Sequence, residues 1–298
     1  MSVSYNFKDY LNFGKCVFIT NGLLTLGVTV DIGPRVIFCA LEGHENIMFA
    51  DEERRFKLDA GEYGMWYNYG GHRLWCSPEI VPETYAPDSS PVEFKAEGNV
   101  FTFTAPETPF GKVFSLVFEM SEDKAEVGVI SRIKNVSDKP SLFAPWSLTC
   151  LDRGSAAILP MCTRKSGFLP NRVVSFWEYS DVYDPRFKMT NEYARIRQDS
   201  FLPTPFKAAF NNENGWEAVV LKNQVFIKKI TEYQFIRYPD YSCNVEVFTN
   251  DAFLECEVLG EYKEYQPGET AEISEVWRIA EAPGGYEPDL GTLRKLAE

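Results

Sequence analysis

Positive charge, histidine and paired cysteine are all scarce in this chain of 298 residues. Lys and Arg number 30 against 43 Asp and Glu, a formal net charge of −13. Phosphate binding needs clustered Lys and Arg, so the balance argues against a nucleic-acid partner. No stretch approaches the roughly 18 continuous apolar residues of a membrane helix, so no membrane partner is expected. Residues Met1 to Lys15 lack an apolar core behind a basic start, and no secretory signal is expected there. The seven cysteines (Cys16, Cys39, Cys76, Cys150, Cys162, Cys243 and Cys256) are scattered singly, with no Cys-x-x-Cys pair. With only His44 and His72 to join them, no metal site is expected. Single cysteines in apolar runs, such as Cys39 and Cys150, read as reduced core residues, which points to a cytoplasmic protein.

Helical periodicity is nearly missing as well. Only Asp51 to Lys57 and the tail Asp289 to Ala297 suggest short helical pieces, and no capping box opens a long apolar stripe. No repeat of fixed period is present, which counts against a propeller. There is no Gly-rich phosphate loop, no dinucleotide fingerprint and no nucleophile elbow; Ser166-Gly167 lacks the strand-to-helix flanks of a hydrolase serine. No cofactor is therefore expected.

What the chain does have is aromatic residues and period-2 alternation. Phe, Tyr and Trp number 23, 15 and 6, more than a sheet core alone calls for. Flat apolar rings with polar tips suit ligands that have an apolar face and a hydroxyl rim. Strands are read over Val113 to Met120, Ala125 to Asn135 and Thr270 to Ala280, where alternate residues are apolar. Turn clusters such as Glu97-Gly98-Asn99 and Gln266-Pro267-Gly268 separate the runs. The pattern predicts an all-β antiparallel sandwich forming a single domain over residues 1–298. Asp59 to Pro91 and Cys162 to Pro205 break the strand rhythm yet are aromatic-rich, so a functional site is expected on them.

Three segments could carry chemistry. In residues 65–79, Trp66, Tyr67, Tyr69 and Trp75 surround Gly70-Gly71, followed by His72 and Arg73, with Glu79 beyond. The glycines permit close backbone approach, His72 titrates near neutral pH, and Arg73 offers a fork for an anion or vicinal hydroxyls. The alternative is a glycine-kinked strand whose His and Arg bond structurally to Glu79. In Asn244 to Glu257, Glu255 and Glu257 share one strand face while Leu254, Cys256 and Val258 take the other. Paired acids can have their pKa values pushed apart, making one a base; a solvated edge face is the alternative. Arg35, in Gly33-Pro34-Arg35-Val36-Ile37 closing an early strand, needs an anionic partner among its apolar neighbours. His44 reads as a solvated turn residue. Lys228 and Lys229 point to opposite faces, so at most one could line a groove.

The early Gly-Pro-Arg-Val and the late Val-Glu-Val-Phe-Thr-Asn, Leu-Glu-Cys-Glu-Val-Leu-Gly, Gln-Pro-Gly-Glu-Thr and Glu-Val-Trp segments resemble the galactose-mutarotase-like (aldose epimerase) superfamily. Asn68 to Glu79 and Ser166 to Arg186 resemble an uncharacterised bacterial branch of it, and the likeness covers roughly residues 16 to 280. The resemblance implies a large antiparallel β-supersandwich holding a sugar on its concave face. It also implies a late-strand Glu that takes the anomeric proton and a middle-strand His that donates to the ring oxygen. The Glu maps to Glu257, or to Glu255 after a slip of two. Arg35 and Arg73 are candidates for the substrate-holding arginines. The middle-strand His falls at Phe143-Ala144-Pro145-Trp146-Ser147-Leu148, which contains no His.

The reading placed first is therefore a carbohydrate-binding protein whose partner is a small-molecule or oligomeric carbohydrate. Arg35, Trp66, Tyr69, Arg73, Trp75, Glu79 and Trp146 are its candidate binding residues. The alternative is an aldose 1-epimerase with Glu257 or Glu255 as base and His72 as acid. A third reading has the aromatics as core, the acids as surface and no ligand.

Overall fold

Alternation of apolar and polar residues makes each strand two-faced, and two such sheets bury their apolar faces together. The computed structural model describes residues 2–230, 236–282 and 289–298. Strand takes 49% of the chain and helix 5%, which places the fold in the all-β class as a large antiparallel sandwich.

From edge to edge, the first sheet begins Ser4–Asp9, Lys15–Thr20, Leu24–Thr29, Val36–Leu41 and His72–Ser77. It continues through Ser141–Leu151, Leu254–Leu259, Val245–Thr249, Phe206–Phe210 and Val174–Phe176, with Lys263–Tyr265 paired to the start of Ser141–Leu151. The second sheet has Trp216–Leu221, Gln224–Ile230, Thr270–Glu281, Glu126–Asn135 and Lys112–Met120 at its centre. The three strands read from sequence agree with these elements to one residue, extended by one at an end in Lys112–Met120 and Thr270–Glu281 and shortened by one at the start of Glu126–Asn135.

The core between the sheets is built from one parity of each strand. Leu74 and Cys76, Leu254 and Cys256, Val245 and Val247, and Ala208 and Phe210 face inward from the first sheet. Phe118, Val127, Val129, Phe226 and Trp277 meet them from the second. Fully burying such side chains stabilises the sandwich by about 1.5–3 kcal/mol each.

The tail forms the helix Leu290–Ala297, its first turn capped by the Asp289 carboxylate, which accepts the Thr292 N–H at 3.0 Å. Asp51 to Lys57 is not helical. There the Asp51 carboxylate accepts the N–H groups of Arg55 and Phe56, both at 3.0 Å, and holds a turn instead. Gly33-Pro34-Arg35 opens the strand Val36–Leu41 rather than closing the one before it. Within the segment read as irregular, His72–Ser77 is a central strand, buried on both faces. No helix among the described residues is long and apolar enough to cross a membrane.

Candidate functional site

The other parity of the first sheet forms a polar and aromatic face. Register fixes its rows: Leu148 is the cross-strand partner of both Arg73 and Glu257, and Glu257 in turn pairs with Glu246. The next row on the same face runs Cys150, Glu255, Phe248 and Lys207. Strands distant in sequence thereby bring two cations and three carboxylates onto one patch.

Each of these charges is matched across strands. Arg73 Nη1 donates to Glu255 Oε1 at 2.6 Å, and its guanidinium lies 4.1 Å from the centre of the Trp75 ring. The Cys150 thiol donates to the same Glu255 oxygen at 2.8 Å. Glu257 Oε2 accepts from Trp146 Nε1 and from Lys207 Nζ, both at 2.8 Å. Lys207 Nζ also reaches Glu246 Oε2 at 2.6 Å and sits over the rings of Trp146 and Trp177.

Burial governs the protonation of this group. Loss of water pushes the Glu257 carboxyl above its usual range, against the pull of Lys207; Glu255 adds to the rise. Glu246 is pushed well above the usual range, again by burial first and with Lys207 opposing. For Lys207 and Arg73 burial works against the charge, but the carboxylates beside them outweigh it and hold both above their ordinary values. Burial also raises the Cys150 thiol well above normal, which leaves it a donor rather than a thiolate nucleophile.

Arg73, Lys207, Glu255 and Glu257 line a cleft of about 220 Å³, while Glu246 and Cys150 lie outside its lining. Trp75 and Trp146 pack edge to face at 5.5 Å, and Trp66 closes on Trp75 at 5.1 Å. Tyr85 leans on both Trp66 and Trp75 and gives its hydroxyl to Glu79. The indole N–H of Trp66 is buried there without a hydrogen-bond partner. Seven of the residues expected from sequence line this cleft: Trp66, Arg73, Trp75, Glu79, Trp146, Glu255 and Glu257.

Three do not. His72 precedes Arg73 on the same strand, so its side chain takes the opposite face, between the sheets. Its Nδ1 lies 3.0 Å from Thr149 Oγ1 and its ring meets Trp277 edge-on at 4.7 Å. Burial, with Lys228 and Arg73 nearby, holds its pKa well below the ordinary histidine value. The expectation of His72 as the acid of the site is thus corrected: its side chain lies outside the cleft, and its imidazole is held toward the neutral form. Arg35 is fully buried and consumed by Asp88, with Nε donating at 2.9 Å, and by the carbonyl of Asn68 at 2.5 Å. Tyr69 bonds through its hydroxyl to Ser89 at 2.8 Å and is covered by Arg35 and Arg54. Both brace the wall behind Asn68 rather than line the cleft. Lys228 is also buried between the sheets, donating to Cys256 O at 3.1 Å.

Sequence reasoning missed Lys207 and Glu246. The one signal was a charge isolated in an apolar run, as in Phe206-Lys207-Ala208-Ala209-Phe210 and Val245-Glu246-Val247.

The described residues share their fold with several solved structures. A TPR-domain containing protein from Parabacteroides distasonis superposes with a TM-score of 0.63 at 10% identity, over 93% of this chain and 48% of that one. This chain thus spans about half of that protein's length. A galactose mutarotase-like protein from Lactobacillus casei gives 0.58 at 10% identity, over 89% of this chain and 100% of that one. Another from Clostridium acetobutylicum gives 0.57 at 10% identity, over 94% and 99%. No family model matches the sequence, and no curated protein matches it. The fold is that of these galactose mutarotase-like structures.

Proposed function

We propose that the chain binds a carbohydrate, one sugar ring at a time, in the cleft over Glu255 and Glu257. The observation that carries this reading is the composition of the cleft. Trp66, Trp75 and Trp146 present ring faces and edges beside a row of paired carboxylates and cations. A pyranose has that dual character, with C–H faces for aromatic rings and a rim of hydroxyls for charged groups. The unpartnered Trp66 N–H supplies a further donor at no competing cost. A volume of about 220 Å³ is below the roughly 300–1,000 Å³ of drug-sized sites, which favours a monosaccharide unit over a chain.

Ring-opening epimerisation is the second reading. It is favoured by Glu255, a carboxylate held by Arg73 inside the cleft, and the His72 acid expected with it is absent from the cleft. One panel of free hexoses, pentoses and hexose phosphates separates the two. Under binding, the unfolding temperature rises with the logarithm of sugar concentration for at least one member. Under epimerisation, anomer exchange of that same sugar also exceeds the buffer rate. A melting temperature indifferent to every sugar would sink both.

A further inference from the structure

Counting charge in the buried patch gives an excess of one carboxylate. Arg73 and Lys207 face Glu246, Glu255 and Glu257, and all five are nine-tenths or more buried. Arg73 is committed to Glu255, so the single Lys207 ammonium stands between Glu246 and Glu257, 2.6 and 2.8 Å from an oxygen of each. Two carboxylates out of water cannot both ionise against one cation without a large penalty, so one proton stays with the pair.

We propose that Glu246 is the proton donor of the cleft, sharing one proton with Glu257 across Lys207 and delivering it to the ring oxygen of a cyclic aldose. The assignment rests on the epimerisation reading above. Two features single out Glu246. Its Oε1 has no partner, although the side chain is almost wholly buried. It lines a second volume of about 410 Å³ that adjoins the cleft through Trp146, Tyr85 and Glu79. The other titratable groups around Glu246 are Asp240, from the turn before its strand, together with Cys243 and Tyr179. Asp240 and Glu257 both favour the protonated form of Glu246.

The chemistry balances without a further reactant. The Glu255 carboxylate takes the proton of the anomeric hydroxyl as the C1–O5 bond breaks and C1 becomes the aldehyde carbonyl. O5 takes the Glu246 proton and becomes the C5 hydroxyl. After rotation about C1–C2, O5 attacks C1, the C5 hydroxyl returns its proton to Glu246, and Glu255 reprotonates O1 to give the other anomer.

Glutamine copies a protonated glutamate, so Glu246→Gln should fold, bind the aldose as the wild type does, and exchange anomers about 10²–10⁴-fold more slowly. Glu246→Asp should retain part of the rate. An infrared readout needs no sugar: at pH 7 the wild type should show a protonated-carboxyl C=O stretch that Glu246→Gln lacks. Undiminished exchange in Glu246→Gln, no such infrared loss, or aldose binding without accelerated exchange in the wild type would each overturn the proton-donor assignment. Absence of binding by any aldose would instead remove the saccharide reading, and this proposal with it.

Discussion

Replacing Lys207 by Met deletes the one cation between Glu246 and Glu257 while keeping an unbranched apolar stem in place of its own. Lys207, Glu246 and Glu257 have side chains 5%, 1% and 1% exposed, so solvent screens little of the interaction. Breaking a buried ion pair from one side costs about 3–5 kcal/mol. For a chain of this size each kcal/mol moves the melting midpoint by about 2–4 °C, so the drop should be roughly 6–20 °C. The loss should depend on pH with a definite sign. Glu246 and Glu257 titrate higher in the folded state than in the unfolded one, so the folded state binds more protons. Their stabilising contribution is fully present below the ordinary carboxylate range and is lost as pH rises through the raised values. Without Lys207 those values rise further, so the variant should lose most at pH 8 and recover toward wild type at pH 5. Asp240, Cys243, Tyr179 and Glu255 also face the pair and stay in place in the comparison. Urea unfolding of both proteins at the two pH values measures this. Equal stability at pH 8, or a deficit that grows at pH 5, would refute the buried-cluster account.

Three further outcomes follow from the same geometry. Trp146→Ala removes both the ring face and the Glu257 donor, and should weaken aldose binding about 10–100-fold by calorimetric titration; unchanged affinity would take the ring out of the site. His72→Phe should leave affinity within about twofold while costing about 1–3 kcal/mol in urea unfolding, because Thr149 loses its partner; a large affinity loss would return His72 to the cleft. Glu217 is buried between the sheets, where desolvation, against Lys228, pushes its pKa up to about 8. Wild-type stability should therefore fall as pH climbs from the carboxylate range through about 8, and Glu217→Gln should flatten that slope in melts at pH 5, 7 and 9; an unchanged slope would count against a protonated Glu217.

The sandwich was legible because its outer strands carry the alternation openly, as Thr270–Glu281 does with Ala271, Trp277 and Ile279 turned inward. The same parity placed Glu255 and Glu257 together on a face opposite Cys256. The strand His72–Ser77 hid its parity, since all six of its residues are buried and the inward and cleft-facing sets are both rich in large side chains. Read as a loop, Gly70 to Glu79 offered His72 and Arg73 as neighbours in one site; as a strand, it sends them to opposite faces. Lys207 and Glu246 were illegible for another reason. A lone charge in an apolar strand has meaning only through its partner, and these two meet each other and Glu257 across strands that only the sheet order makes adjacent.

The claim that the cleft over Glu255 and Glu257 is a saccharide site is met most directly by calorimetric titration of free monosaccharides into the wild type and into the Glu255→Gln, Glu257→Gln double variant. The account predicts saturable one-site heat with at least one aldose, lost in the double variant although that protein remains folded. Saturable binding that survives the double change undiminished, or no heat from any monosaccharide, would contradict it.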